Sequence, residues 1–195
     1  MSLIIGLTGG IGSGKSTVSN YLRGKNLTLL CADKIAHQIM QPGQIAYRKI
    51  VKKFGKEILS SDKTINRKIL GPLVFKNPNH LKSLNAIAHP EVLKEFKKQI
   101  RLHKKEKYII LDVPLLFESG MDKICDHIIL VALNRKIQSQ RIKKRDGITQ
   151  VEIKRRINSQ MPLREKKKRS NFVINNSGTW TQTKKQIEKL IKQLT

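Results

Sequence analysis

Gly9-Gly10-Ile11-Gly12-Ser13-Gly14-Lys15-Ser16 follows an apolar run that starts at Leu3, close to the beginning of the chain. It fits the spacing G-x-x-x-x-G-K-[ST], in which a glycine-rich loop connects a strand to a helix. The glycines permit positive φ angles, so the backbone can turn its N–H groups inward around an anion. The alternative is a flexible Gly/Ser loop, but the apolar strand before it and the apolar helix face after it favour phosphate binding.

The residue types in this loop suit a triphosphate with magnesium. Lys15 supplies a mobile positive charge that can reach the β- and γ-phosphates, and Ser16 offers its hydroxyl to Mg²⁺. A helix predicted over residues 15–23 points the positive end of its dipole at the same anion. We predict that the phosphates contact the following residues: Gly10, Ile11, Gly12, Ser13, Gly14, Lys15, Ser16 and Thr17.

Composition limits the function classes that remain. The chain of 195 residues has no long apolar run and no basic leader, so we predict a cytoplasmic protein with neither a membrane span nor a secretory signal. A formal net charge of +26 would suit nucleic acid binding. However, the basic residues are spread over the whole chain and aromatic residues make up only 5% of it, so we predict no specific nucleic acid partner.

An acidic residue follows the second predicted strand. Residues 26–32 are rich in leucine and are predicted as a short strand, with Asp33 directly after it. The ends of parallel strands share one edge with the phosphate loop, so Asp33 would point at the γ-phosphate. There it would accept a proton from an attacking hydroxyl or help to hold Mg²⁺. The alternative role is an N-cap for a helix over residues 34–40.

Residues 34–105 are predicted to form a helical insert over the sheet edge. The segment is polar, lacks a convincing core strand and is too long for a loop. The predicted helices cover residues 45–54, 67–75, 79–88 and 91–103, and the last two are separated at His89-Pro90. In a transferase, such an insert would supply the acceptor pocket. His89 is then either a structural residue at a helix junction or part of that pocket.

The next strand ends at a second acidic residue. Residues 108–112 form an unbroken run of β-formers that predicts a buried parallel strand, and Asp112 at its end would organise Mg²⁺. Val113 stands where many hydrolytic ATPases carry a second acid. A phosphate loop without a water-activating partner favours transfer to a bound acceptor.

Two arginines follow the strand predicted over residues 127–132. Arg141 and Arg145 lie four residues apart on a helix predicted from Lys136, and therefore on one face. Beside a phosphate loop, their guanidinium groups would neutralise the triphosphate and the charge that spreads during transfer. The alternative is a solvated basic face.

The last third of the chain is predicted as helices around one more strand. Thr149 should cap a helix over residues 150–159, with Glu152 completing a capping box. Residues 164–169 are predicted to be a mobile basic stretch. The last strand is expected at residues 172–174 and a closing amphipathic helix at residues 180–194.

Together these motifs resemble the dephospho-coenzyme A kinase family over nearly the whole chain and in the family's order. The phosphate loop is shared with many kinases, so the resemblance depends on the conjunction of motifs. The matching pieces are residues 7–16, Ala32-Asp33, Asn66-Arg67 with Leu70 and Phe75, His89-Pro90, Val113-Pro114-Leu115-Leu116-Phe117-Glu118, Arg141 and Arg145, residues 159–163, and Val173-Ile174 with Asn176-Ser177-Gly178.

The resemblance implies transfer of the ATP γ-phosphoryl group to the ribose 3′-hydroxyl of dephospho-coenzyme A, with Mg²⁺. This is the last step of coenzyme A biosynthesis. It assigns catalysis to Lys15, Asp33 and Arg141, with Lys15, Ser16 and Arg145 on the ATP-Mg²⁺ side. It places the acceptor-side residues at Arg67, His89 and Glu118.

The family further implies an α/β fold, a P-loop NTPase three-layer sandwich with a five-stranded parallel sheet. Residues 1–33 and 106–195 would form the nucleotide-binding core, and residues 34–105 the acceptor-binding insert. Residues 135–170 would form a helical lid region within the core. We expect a monomer or a weak homo-oligomer. The sequence departs from the family at Arg164, Ser170-Asn171 and Asn175, where acidic residues or Ala-Asp are usual.

Two rival functions remain open on the sequence. One is a kinase for another small hydroxyl compound or a nucleoside monophosphate. The other is a nucleic-acid-binding protein that retains an inert nucleotide fold, which would bind DNA or RNA at moderate salt without transferring phosphate.

Overall fold

The computed structural model describes residues 2–25 and 27–194, and the chain divides into two compact units. Unit 1 comprises residues 1–30 and 103–195, and unit 2 comprises residues 31–102. The sequence had suggested boundaries three residues later, at 33/34 and 105/106. Among the described residues, no helix is long and apolar enough to cross a membrane.

Unit 1 is built on a five-stranded sheet in the order β2-β3-β1-β4-β5. The strands are β1 (Leu3–Gly9), β2 (Thr28–Cys31), β3 (Tyr108–Asp112), β4 (His127–Ala132) and β5 (Phe172–Asn175). β1 pairs in parallel with both β3 and β4, and β4 pairs in parallel with β5. The predicted α/β fold with a five-stranded parallel sheet is confirmed. The second strand is shorter than predicted, because residue 32 already belongs to a helix; residue 26 lies outside the described residues.

Two helices cover one face of the sheet, α1 (Lys15–Arg23) and α9 (Trp180–Leu194). Both match their predicted bounds, because each presents an apolar stripe with helical spacing. Burying each large aliphatic side chain in such a core stabilises the fold by about 1.5 to 3 kcal/mol. The core cluster contains Ile5, Leu7, Val18, Leu22, Ile110, Ile129, Val131, Ile174, Ile187 and Leu190.

Three further helices lie between β4 and β5 along the chain: α6 (Arg135–Asp146), α7 (Gln150–Asn158) and α8 (Leu163–Lys168). The predicted capping box at the start of α7 is confirmed, since Thr149 and Glu152 each bond the other's backbone N–H. The prediction of a mobile stretch over residues 164–169 is wrong, because most of it forms α8. Lys166 in this helix is buried, and its charge is met by a carboxylate.

Unit 2 is helical, with α2 (Ala32–Ile39), α3 (Ile45–Phe54), α4 (Arg67–Lys76) and α5 (Pro78–Leu102). The long helix α5 contacts each of the other three. A short 3₁₀ turn, Lys56–Ile58, follows α3. The apolar interior of the unit comprises Ile35, Ile39, Ala46, Ile50, Phe54, Ile58, Leu70, Val74, Val92 and Phe96.

The predicted helix break at His89-Pro90 is wrong, since α5 runs continuously through both residues. An interior proline lacks an N–H and crowds the preceding turn, which costs about 3 kcal/mol. Here Val92 and Phe96 are buried just beyond it, and α5 packs on three helices. Tertiary packing therefore outweighs the local preference to end the helix.

The first helix of unit 2 also begins earlier than predicted. Ala32 and Asp33 lie in the first turn of α2, and Cys31 is the N-cap residue. Asp33 is therefore neither the cap nor part of the strand. An acidic side chain in the first turn of a helix interacts favourably with the helix dipole, which explains why the helix extends over it.

Candidate active site

The glycine-rich segment connects β1 to α1 as predicted and forms a tight loop. The N–H of Ser13 donates to the carbonyl of Gly10 at 3.0 Å. Gly12 and Gly14 have φ angles of +72° and +82°, which residues with a side chain rarely adopt. The loop therefore uses its glycines for backbone curvature, as an anion-binding loop requires.

Asn176 holds the far side of the loop. Its side-chain amide donates to the carbonyl of Ser13 at 2.7 Å, and its side-chain oxygen accepts from the hydroxyl of Thr183 at 2.9 Å. A Cβ atom on Gly14 would lie only 2.2 Å from the amide nitrogen of Asn176. Glycine is required at position 14 by this close approach as well as by its φ angle.

The loop lysine meets the acid at the end of β3. The ammonium of Lys15 pairs with one carboxylate oxygen of Asp112, and the hydroxyl of Ser19 donates to the other at 2.7 Å. Asp112 is only 5% exposed. The sheet register sets Asp112 opposite Leu7, two residues before the loop begins. The sequence had assigned Asp112 to the organisation of Mg²⁺, and the structure holds it against the loop lysine.

The oxygen groups available for magnesium are few. Within residues 2–25 and 27–194, no group of three or more His, Cys, Asp and Glu side chains could hold a metal ion. Mg²⁺ commonly keeps one or two protein ligands and takes the others from phosphate and water. The exposed Ser16 hydroxyl, next to Lys15, and the Asp112 carboxylate fit that ligand set.

The two arginines of α6 contact different partners although they lie one turn apart. Arg141 is half-buried and donates to the carbonyl of Asn176 at 3.1 Å, which brings it to the loop. Arg145 is exposed and bonds both carboxylate oxygens of Asp146 at 2.7 and 3.0 Å. These bonds raise the pKa of Arg145 and lower the pKa of Asp146, which also accepts from Arg156. Of these two arginines, Arg141 alone lies at the phosphate loop.

Two glutamines contact the loop that sequence reasoning had not selected. The side-chain amide of Gln138 donates to the carbonyl of Ile11 at 2.7 Å, and the N–H of Ile11 donates to the side-chain oxygen of Gln160 at 2.9 Å. Gln138 lies three residues before Arg141 on α6, and this spacing could have drawn attention to it. Gln160 had appeared only within a family motif.

Glu118 is held by the segment that contains α8. One of its carboxylate oxygens accepts from the N–H of Met161 at 2.9 Å and lies 2.9 Å from the ammonium of Lys166. Both partners lie inside the predicted lid region of residues 135–170. The pairing was not predicted, because the sequence had assigned Glu118 only to the acceptor side.

Unit 2 carries the remaining predicted residues. Asp33 is exposed in the first turn of α2, and His37 lies one turn further along the same face. Arg67, at the start of α4, approaches His37 with a guanidinium nitrogen 2.8 Å from its ring Nδ1. The structure thus brings Arg67 to the α2 face that carries Asp33. His37 is a neighbour of these residues that the sequence did not indicate.

His89 lies in the middle of α5 and is half-buried. Burial lowers the pKa of its imidazole below the ordinary value. A neutral imidazole can donate one hydrogen bond and accept another, whereas an imidazolium can only donate. The lowered pKa therefore favours the neutral form of His89.

A groove opens at the carboxyl ends of β4 and β5 in unit 1. Its volume is about 440 Å³, and its lining includes Asn134, Arg135, Leu163, Lys167 and Asn175. In open parallel sheets, ligands bind outside the carboxyl ends of the strands. The groove and the phosphate loop both lie at this edge.

Comparison with known proteins identifies close relatives. A family model described as dephospho-CoA kinase matches residues 3–182. A dephospho-CoA kinase from Lactobacillus johnsonii is 41% identical, and the match covers 100% of this chain and 99% of the relative. The crystal structure of TT1252 from Thermus thermophilus superimposes with a TM-score of 0.82 at 31% identity, over 100% of this chain and 98% of that one.

A second solved structure is a dephospho-CoA kinase from Campylobacter jejuni, with a TM-score of 0.77 and 29% identity over 100% of this chain and 98% of that one. The family model spans the phosphate loop, Asp112, Arg141 and the whole of unit 2. The chain therefore belongs to the dephospho-CoA kinase family.

Proposed function

We propose that this chain transfers the γ-phosphoryl group of ATP to the 3′-hydroxyl of dephospho-coenzyme A, giving coenzyme A and ADP. The observation that carries the proposal is the pairing of Lys15 with the buried Asp112 beneath a glycine-rich turn. A lysine held there is positioned beside the N–H groups that an anion would meet. We assign dephospho-coenzyme A as the acceptor because the chain belongs to the dephospho-CoA kinase family.

The phosphate loop supplies binding and electrostatic stabilisation. Its main-chain N–H groups and the N-terminus of α1 favour negative charge, and Lys15 would move from Asp112 to the β- and γ-phosphate oxygens. Arg141, already at the loop, would neutralise the charge that spreads over the transferred group. Mg²⁺, held by Ser16 with Asp112, would neutralise phosphate charge.

Asp33 would act as the general base for the acceptor hydroxyl. We assign this role to it because of its chain position, two residues after β2 ends, and its exposed carboxylate. In the transfer, the 3′-oxygen forms a bond to the γ-phosphorus while the bond from that phosphorus to the β–γ bridging oxygen breaks. The proton of the hydroxyl passes to Asp33, and ADP leaves.

Arg67, His89 and Glu118 are proposed to serve the acceptor. Arg67 would pair with an acceptor phosphate, because guanidinium matches phosphate geometry. A neutral His89 would contribute hydrogen bonds and no charge. Glu118 would act through the segment that it holds by Met161 and Lys166.

The domain roles belong to the same proposal. Residues 34–105 would bind the acceptor, and residues 135–170 would act as a lid that excludes water and so protects ATP from hydrolysis. Arg145 would approach the nucleotide only when it leaves Asp146. We further propose a cytoplasmic monomer or weak homo-oligomer, without a specific nucleic acid partner.

The test is a coupled ADP-release assay over a small acceptor panel. The panel contains dephospho-coenzyme A, a nucleoside monophosphate, a sugar acid and no acceptor. We expect acceptor-dependent ADP release with dephospho-coenzyme A alone, and a product that carries a new 3′-phosphate. Turnover of another acceptor without turnover of dephospho-coenzyme A would contradict the proposal.

A further inference from the structure

The phosphate loop contains a β-turn whose central peptide joins Ile11 to Gly12. The turn is closed by the bond from the N–H of Ser13 to the carbonyl of Gly10. Gly12, its third residue, has a φ of +72°. Lys63 is the only non-glycine residue with positive φ in the described part of the chain, so Ile11 has a negative φ. This combination defines a type II turn.

A type II turn and a type I turn differ mainly by a flip of the central peptide. In a trans peptide the N–H and the C=O point in opposite directions, and no peptide in the described residues is cis. The direction of the Ile11 carbonyl therefore sets the direction of the Gly12 N–H. A flip would turn a carbonyl oxygen toward the side that now receives the N–H, and an anion would be repelled there.

The two peptides around Ile11 are each held by a glutamine, and we call Gln138 and Gln160 the glutamine pair. Gln138 donates to the Ile11 carbonyl at 2.7 Å and so pulls that oxygen toward α6. Gln160 accepts from the Ile11 N–H at 2.9 Å. Because both partners are backbone groups with a single role each, the donor and acceptor ends of the two glutamines are unambiguous.

Gly10 lies close to both members of the glutamine pair. A Cβ atom on Gly10 would lie 3.2 Å from the amide nitrogen of Gln138 and 3.5 Å from the oxygen of Gln160. Both glutamines are half-buried, so water competes only partly for these bonds. A side chain at position 10 would therefore crowd the amide of Gln138, which would have to shift by a few tenths of an ångström.

We propose that Gln138 and Gln160 are positioning residues for phosphate binding. They hold the central peptide in the type II orientation, so that the Gly12 N–H is directed away from α6 and is available to the triphosphate. Since Gln138 lies on α6 and Gln160 lies between α7 and α8, the loop's set of N–H donors depends on these helices. The inference rests on the proposed function for its ligand, the triphosphate of ATP.

The first experiment measures binding of ATP and of tripolyphosphate by calorimetry, without acceptor. Gln138→Met keeps the length of the side chain but removes the donor, and we expect the Kd for both ligands to rise by the same factor, about tenfold. Gln140→Met is the matched control, because Gln140 is exposed on the same helix. The control should bind both ligands like the unmodified protein.

The second experiment compares two variants that each add one negative charge. Gln160→Glu keeps an acceptor for the Ile11 N–H, whereas Gln138→Glu turns an acceptor-only carboxylate toward the Ile11 carbonyl. Both add one negative charge, so Gln138→Glu should bind ATP more weakly than Gln160→Glu. The melting temperature of the ligand-free Gln138→Met protein should equal that of the unmodified protein. If Gln138 served only to stabilise the fold, its replacement would lower the melting temperature.

The inference is overturned if Gln138→Met binds ATP and tripolyphosphate like the unmodified protein, or if the two glutamate variants lose affinity equally. A failure of the proposed function is distinguishable. If the unmodified protein binds ATP but does not phosphorylate dephospho-coenzyme A, while the variants still lose affinity as described, the glutamine roles stand and the acceptor is wrong.

Discussion

The ammonium of Lys166 lies 2.9 Å from a carboxylate oxygen of Glu118, and the lysine side chain is only 2% exposed. Glu118 follows β3 in the chain, and Lys166 lies on α8. The same oxygen of Glu118 accepts from the N–H of Met161. One partly exposed carboxylate thus neutralises a buried cation and ties α8 to the segment after β3.

We expect Glu118→Gln to destabilise unit 1 more than Lys166→Met. The first variant leaves a buried ammonium without a counter-charge, which costs about 3 kcal/mol. The second removes the charge but keeps the apolar stem, and Glu118 retains Met161 and some solvent, so about 1 kcal/mol is lost. The free energy of unfolding in urea measures both.

Glu165→Gln is the control for these variants. Glu165 pairs with Lys168 at 3.4 Å on the same helix, but these side chains are 48% and 60% exposed. An exposed pair of this kind contributes less than about 1 kcal/mol. The double variant Glu118→Gln/Lys166→Met should recover stability relative to Glu118→Gln alone. Equal losses for the two single variants would show that the pair is not effectively buried.

The sequence predicted those parts of unit 1 that local patterns specify. The loop, β3, β4, α1 and α9 were found at their predicted bounds. Each has either a strand-like apolar run, an amphipathic stripe or a motif of fixed spacing. For such elements, the local sequence pattern is enough to predict where the element begins and ends.

The parts that sequence reasoning missed depend on partners far away in the chain. Lys166 resembled one more solvated charge until Glu118 was placed beside it. Pro90 resembled a helix end until the packing of α5 on three helices was known. The contact between Gln160 and the loop depends on the fold of unit 1 in the same way. Pairings of this kind cannot be predicted from the spacing of neighbouring residues in the sequence.

Gly14→Ala should weaken both the fold and nucleotide binding. The new Cβ would lie 2.2 Å from the amide of Asn176, at a φ of +82°. Gly43→Ala is the matched control, because Gly43 has a φ of +88° but nothing within 4 Å of its Cβ position. Backbone strain alone should cost about 1 to 2 kcal/mol in the control. Gly14→Ala should cost more and should also raise the Kd for ATP.

Lys15→Met should lower phosphoryl transfer by orders of magnitude, about a thousandfold if it acts as a single transition-state donor does. The variant also leaves Asp112 buried without its cation. We therefore expect Lys15→Met to lose stability, and Lys15→Met/Asp112→Asn to regain it without regaining activity. Steady-state kinetics and urea unfolding separate the two effects. Recovery of turnover in the double variant would mean that stability, not chemistry, limits Lys15→Met.

Asp33→Asn should depress kcat by about a hundredfold or more, because a general base contributes that much, and should leave the Kd for ATP within about twofold. Asp62→Asn removes another exposed carboxylate from unit 2 and should keep normal turnover. Single-turnover kinetics with dephospho-coenzyme A tests this. If Asp33→Asn kept near-normal turnover, the assignment of Asp33 as the base would be wrong.

His89 should make the stability of the protein depend on pH below neutrality. Burial lowers the pKa of its imidazole in the folded protein, whereas in the unfolded chain it titrates near its ordinary value of about 6.5. Below that pH the unfolded chain therefore binds more protons than the folded protein does. The free energy of unfolding must then fall as the pH falls.

His89→Gln removes this proton uptake, so the variant should lose less stability than the unmodified protein between pH 7.5 and pH 5.5. The carboxyl groups of Asp62, Asp146, Glu152 and Glu188 have lowered pKa values, and their contributions disappear only at more acidic pH. The variant also keeps the other four histidines, so the difference between the two proteins reports on His89. Urea unfolding at both pH values measures the difference, and parallel pH dependence in the two proteins would show that His89 is already solvated in the folded state.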